Sequence, residues 1–134
     1  MHEIPKKQTS LNGRVRVLSF GYLTDQLRDR NRRLEEAGFI VHASSDPDQG
    51  LEMAGTVHYD CVVLGITVPE KIRNAIAAEA RRNNPKTLIV MLYWKGIQNA
   101  ELADALLNIS TSDDELHNIV YQLITMRRLS PVGS

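Results

Sequence analysis

The chain contains one cysteine, Cys61. A single thiol forms no intramolecular disulfide and supports no cysteine-rich metal site. That scarcity points to a reducing compartment, so the cytoplasm is the expected location. There is no excess of charge either: Lys and Arg number 16, and Asp and Glu number 16. Such a balance gives no overall field to draw in nucleic acid or an anionic membrane. No apolar run approaches the ~20 residues needed to span a bilayer, and Met1 to Gly13 lack the apolar stretch of a secretory signal. Gly21 stands alone after an apolar run, without the repeated glycines of a dinucleotide-binding fingerprint. The histidines, His2, His42, His58 and His117, lack the i, i+4 spacing of a ligand pair, so no metal site or cofactor is expected. There is no helix-turn-helix, zinc module or RNA-binding aromatic motif.

What is present is a chain of 134 residues, 43% apolar and 24% charged. That is one domain's worth, with enough apolar material for a core. Met1 to Gly13 and Ser130 to Ser134 read as flexible tails around a domain at residues 14–129. Between them, short apolar runs alternate with longer amphipathic ones, the pattern of a parallel sheet flanked by helices. Val15 to Phe20 is a first strand. A helix from Thr24 to Ala37 follows, with Gly38 where a left-handed residue closes a helix. Leu27, Leu34 and Ala37 share its inner face, while Arg28, Arg30, Arg32 and Arg33 alternate with acids on the outer one.

Phe39-Ile40-Val41 opens a second strand, and Pro47 sits in the first turn of a second helix. Cys61 to Leu64 is apolar on both faces, as a central parallel strand is. Ile72, Ile76 and Ala80 form the inner stripe of a third helix. Leu88 to Trp94 and Ala105 to Ile109 are the remaining strands, and Gly96 to Ala103 leaves room only for a shortened fourth helix. Ser112-Asp113-Asp114-Glu115 is a capping box, opening a last helix with Leu116, Ile119, Leu123 and Met126 inward. The sum is an α/β, flavodoxin-like, three-layer sandwich around a five-stranded parallel sheet of order 2-1-3-4-5.

Several phrases resemble the receiver domains of bacterial two-component response regulators. They are Leu34-Glu35-Glu36-Ala37-Gly38-Phe39, Tyr59 to Pro69, Asn84-Pro85 before an apolar strand, and Ser112-Asp113-Asp114-Glu115-Leu116. The resemblance spans about Arg14 to Leu129. It implies an acceptor aspartate after strand three, two acids after strand one for Mg²⁺, a Thr or Ser after strand four and a Lys after strand five. Those positions hold Gly65, Gly21 and Tyr22, Tyr93, and Ile109. The chain therefore resembles a degenerate, or pseudo-, receiver. Such a domain is expected to act without phosphorylation and without catalysis, by binding another protein or a second copy of itself in a signalling or regulatory pathway.

Two alternatives remain. A small ligand could be sensed at the carboxyl edge of the sheet, near Gly21, Gly65 and Tyr93. A phosphate could instead be accepted on Thr67. Tyr22 and Tyr93 either line a small aromatic pocket there or, on the simpler reading, plug a vacated acidic one. Trp94 either anchors an interface or covers the shortened helix, and Tyr121 can join that surface. Cys61 beside His58 is not a nucleophile and base, because a cysteine deep in a central strand is inert.

Overall fold

The computed structural model describes residues 15–22, 24–93, 100–108 and 113–129. Both expected tails lie outside that set. So do Trp94, Ile109 and the start of the segment assigned to a shortened fourth helix.

The described elements follow in order: β1 (Arg16–Phe20), α1 (Thr24–Glu36), β2 (Ile40–Ser44), α2 (Pro47–Thr56), β3 (Cys61–Leu64), α3 (Glu70–Asn83), β4 (Leu88–Tyr93), β5 (Ala105–Asn108) and α4 (Asp113–Leu129). The strands form one sheet in the order β2-β1-β3-β4-β5, and every pairing is parallel. This is the doubly wound arrangement the sequence implied. Parallel neighbours need a crossover, so helices cover both faces. Accordingly, all four residues of β3 are buried.

Two cores result. Leu18, Phe20, Val62, Leu64, Ile89 and Met91 pack against Ala54 of α2 and against Ile76, Ala77 and Ala80 of α3. On the other face Val15, Val17, Cys61, Val63 and Val90 pack against Leu34 of α1 and against Leu116, Val120 and Ile124 of α4. The strand alternation thus divides cleanly, odd residues of β1 and β3 facing α1 and α4, even ones facing α2 and α3. Gly38 closes α1 at φ 104°, where glycine avoids the Cβ penalty. Asp46 caps α2 by accepting from the Gln49 N–H at 3.3 Å, just ahead of Pro47.

Two expectations are corrected. On α4 the expected Leu116 is buried and Leu123 packs against the core, but Val120 and Ile124 are the deeply buried positions and Met126 is 65% exposed. The i, i+4, i+8 row meets the sheet, and an end residue two positions further on falls outside it. Arg30 is not on the outer face of α1: it is 8% exposed.

The amino ends of the strands are closed by polar side chains. Asp60 Oδ2 accepts the Arg16 N–H at 2.9 Å, and Asp104 Oδ2 accepts the Ile89 N–H at 2.7 Å. Arg81 pairs with Asp104 and also donates to the Thr87 carbonyl at 3.1 Å. It so ties the end of α3 to the chain entering β5. Tyr59 is buried beside them, its hydroxyl 2.8 Å from His42 Nδ1, with Asn84 Nδ2 donating to its carbonyl at 2.8 Å.

Burial pushes the Tyr59 phenol up to about 12, against a smaller opposing pull from Arg16. Its ordinary value is about 10. Below that value the phenol is neutral in both states and its contribution is intact. As pH rises from the ordinary value through about 12, the unfolded chain ionises first and stability falls, by on the order of 2 kcal/mol. Urea unfolding across that range is expected to show a decline in the midpoint that Tyr59→Phe flattens. An equal decline in both proteins would contradict the assignment.

Candidate functional site at the carboxyl edge

In a parallel sheet all strands end at one edge, and open α/β folds place their ligands there. Here β1 runs out at Phe20 and β3 at Leu64. The Gly65 N–H donates to the Phe20 carbonyl at 2.9 Å, and the Gly21 N–H donates to the Ser44 carbonyl at 3.2 Å. Gly21 and Gly65 are therefore side by side, both buried. By strand alternation they lie on the face covered by α1, in line with Ser19 and Val63.

The group that fills this corner is Arg30. It belongs to the buried row Leu27, Arg30 and Leu34 of α1, spaced to face the sheet. Its Nε donates to Ser19 Oγ at 3.1 Å, and its Nη2 donates to the Phe20 carbonyl at 3.4 Å. A Cβ built on Gly21 would stand 3.2 Å from Arg30 Nη2, and one on Gly65 would stand 3.7 Å from Nη1. The guanidinium thus lies against both glycines, in the corner where the receiver resemblance puts carboxylates.

Gly65 is not demanded by space. Its nearest neighbours to an added Cβ would be the Gly21 Cα and the Phe20 carbonyl oxygen, both at 3.4 Å. Those are ordinary contacts, so a Cβ fits at position 65. Gly21 is tighter, because the added Cβ would press on the held guanidinium.

The resemblance also implies Mg²⁺. That ion requires octahedral oxygen ligands, with one or two carboxylates among them. Among the described residues, those shown at this corner are two glycines, a serine hydroxyl and a guanidinium, which do not fit it. Among the described residues no group of three or more His, Cys, Asp or Glu could hold a metal ion.

The tyrosines sit elsewhere. Tyr22 is half-buried and meets Phe20 edge-on, with ring centroids 5.7 Å apart, on the core shared by α2 and α3. Tyr93 ends β4 opposite Asn108, and alternation puts it on the same side as Met91. Neither ring belongs to the Gly21–Gly65 corner, so the plug is Arg30. Ile109 and Trp94 lie outside the described residues. Tyr121 is 43% exposed on α4, well away from this corner in sequence and on the outer side of its helix. Cys61 is fully buried, and burial, reinforced by the charges of Asp104 and Asp60, pushes its thiol far up. A thiol so protonated is no nucleophile.

Arg30 and Ser19 escaped the sequence reading. The signal was there: position 30 lies three residues after Leu27 and four before Leu34, within the inner stripe. The charge outweighed the spacing.

No protein-family model matches the chain, and no curated protein matches it. Solved structures do. A response regulator receiver domain protein from Methanospirillum hungatei is 16% identical at TM-score 0.75, covering 86% of this chain and 97% of its own. A response regulator receiver protein from Sinorhizobium medicae is 26% identical at TM-score 0.73, covering 85% and 97%. A protein described within a family of redox sensors in the streptococci, evolved from two-component response regulators, is 16% identical at TM-score 0.77. It covers 90% of this chain and 55% of its own length. The chain has the receiver fold.

Removing the guanidinium leaves Ser19 Oγ and the Phe20 carbonyl without their donor. Arg30→Met is therefore expected to destabilise the domain by roughly 1–3 kcal/mol, read as a lower denaturant midpoint. Gly65→Asp is expected to be tolerated and to pair with Arg30, without creating Mg²⁺ binding by calorimetry. Mg²⁺ binding to Gly65→Asp with Arg30 still present would show that the guanidinium does not occupy the corner.

Proposed function

We propose that this chain is a receiver-like signalling domain that works without aspartyl phosphorylation and acts by binding another protein. The observation that carries the reading is the Arg30 guanidinium against Gly21 and Gly65. Phosphoryl transfer to a carboxylate needs an acceptor, and a cation to neutralise the charge that develops. Among the described residues the corner offers no acceptor carboxylate, and its positive charge is a fixed side chain. The receiver fold of the similar structures supports a place in signal transduction. A cytoplasmic location, no catalysis and no direct contact with nucleic acid are part of the same reading.

With the switch gone, the contact surface is the remaining means of action. From Leu116 to Met126, α4 carries no Asp, Glu, Lys or Arg. Its exposed positions include Asn118, Tyr121, Gln122 and Met126. By contrast, α1 faces water with the ion pairs Asp25–Arg28, Asp29–Arg32 and Arg32–Glu36. A charge-poor helix face with an exposed Tyr and Met has the composition of a protein contact. Sensing of a small ligand at the carboxyl edge is the weaker reading, because Arg30 occupies the corner. The redox role named for the streptococcal family does not transfer by thiol chemistry, since the one cysteine is buried.

The first test is thermal unfolding with and without Mg²⁺ plus beryllofluoride. A ligand at hundredfold excess over its dissociation constant would add about 2.7 kcal/mol. No Mg²⁺-dependent shift is expected, and no mass gain after acetyl phosphate. A clear shift, or a phosphate mapped to Thr67, would return phosphorylation as the mechanism. A protein captured from lysate on the immobilised chain and identified by mass spectrometry is expected to be lost when Met126→Lys is combined with Tyr121→Ala, while the unfolding midpoint moves little.

A further inference from the structure

Along one side of the sheet, β2 is the outermost strand and has a neighbour on one side only among the described residues. The Ile40 N–H donates to the Val15 carbonyl and the Ser44 carbonyl accepts from Gly21. In a strand the N–H and C=O of one residue point the same way and alternate along the chain. Ile40, His42 and Ser44 therefore bond inward to β1, and Val41 and Ala43 direct their N–H and C=O groups outward.

Exposed edges are commonly guarded by a Lys, a Pro, an inward charge or a bulge. The sequence Ile-Val-His-Ala-Ser of β2 has none of the first three, and its register against β1 is unbroken over all five pairs. Ile40 is 39% exposed and Ala43 is exposed. The strand is unguarded.

We propose that β2 pairs with β2 of a second copy of this chain, antiparallel about a two-fold axis at His42. That axis sets Val41 opposite Ala43 of the copy, and Ala43 opposite Val41. These are the two outward residues, so each pair exchanges both of its backbone hydrogen bonds. No other register centred on the strand satisfies both outward residues at once. The same axis brings the two α1 helices alongside one another, antiparallel. Their exposed sides carry both signs, already paired within each helix as Asp25–Arg28, Asp29–Arg32 and Arg32–Glu36, so the approach is not opposed by a face of one sign. The contact is isologous and closed. It is independent of the signalling reading and leaves α4 uncovered.

The test is sedimentation of the full chain from micromolar to submillimolar concentration, with amide hydrogen exchange at both ends of the range. A concentration-dependent dimer is expected, with added protection confined within β2 to the amides of Val41 and Ala43. Ala43→Lys is expected to weaken association by at least about tenfold, and Ala43→Pro likewise, with circular dichroism unchanged. Met126→Lys is expected to leave it intact, which separates this contact from the one on α4. A monomer throughout the range, a dimer that persists in Ala43→Lys, or one abolished by Met126→Lys would overturn the proposal. Dimer formation without new protection at Val41 and Ala43 would overturn it as well.

Discussion

Each strand of this sheet runs parallel to its neighbours, and that constraint governs the rest. A parallel pair can be joined only by a crossover, so both faces must be covered and both must be apolar. The demand falls hardest on β3, where Cys61, Val62, Val63 and Leu64 are all buried. It also gathers every carboxyl end at one edge, where packing asks less and chemistry decides the residue. Gly65 illustrates the point. An added Cβ would meet its surroundings at ordinary distances, so glycine itself is not imposed at that position by crowding of the backbone.

A buried guanidinium is costly unless its donors are used. Arg30 meets that condition at the end of β1, where the Phe20 carbonyl and the Ser19 hydroxyl accept from it. At the amino edge the signs are reversed: Asp60 and Asp104 accept the Arg16 and Ile89 N–H groups. Strand ends that expose carbonyls are met by a cation, and strand ends that expose N–H groups are met by carboxylates. A Mg²⁺ site at the carboxyl edge would require the opposite choice of side chains there. The chain has placed its positive charge covalently, on α1, so its location does not depend on metal or phosphate in solution.

The strands, their order and the two-faced burial of β3 were legible because apolar periodicity reports the faces of a sheet directly. The end of β3 was legible as well: the phrase Tyr59 to Pro69 put Gly65 directly after the strand, where it stands. Arg30 was not, since a charged residue among alternating charges reads as solvated, and only its spacing from Leu27 and Leu34 betrays it. The last helix was read correctly at Leu116 and Leu123, which join the core, but not at its end: Met126 is 65% exposed, and the sheet buries Val120 and Ile124 instead. In both cases the deciding factor was the position of the helix relative to the sheet, which the helix sequence does not contain.

A ligand shifts an equilibrium only through differential affinity for two states. On the proposed reading, with Arg30 tied at the corner, regulation comes from occupancy, from whether a partner is present and at what concentration. That places the burden on surfaces rather than on the site. The two unguarded ones, the outer side of α4 and the edge of β2, belong to different layers of the sandwich and share no described residue. Covering one does not consume the other. If both proposed contacts are made, the domain acts as an adaptor whose response is set by mass action and not by a covalent mark.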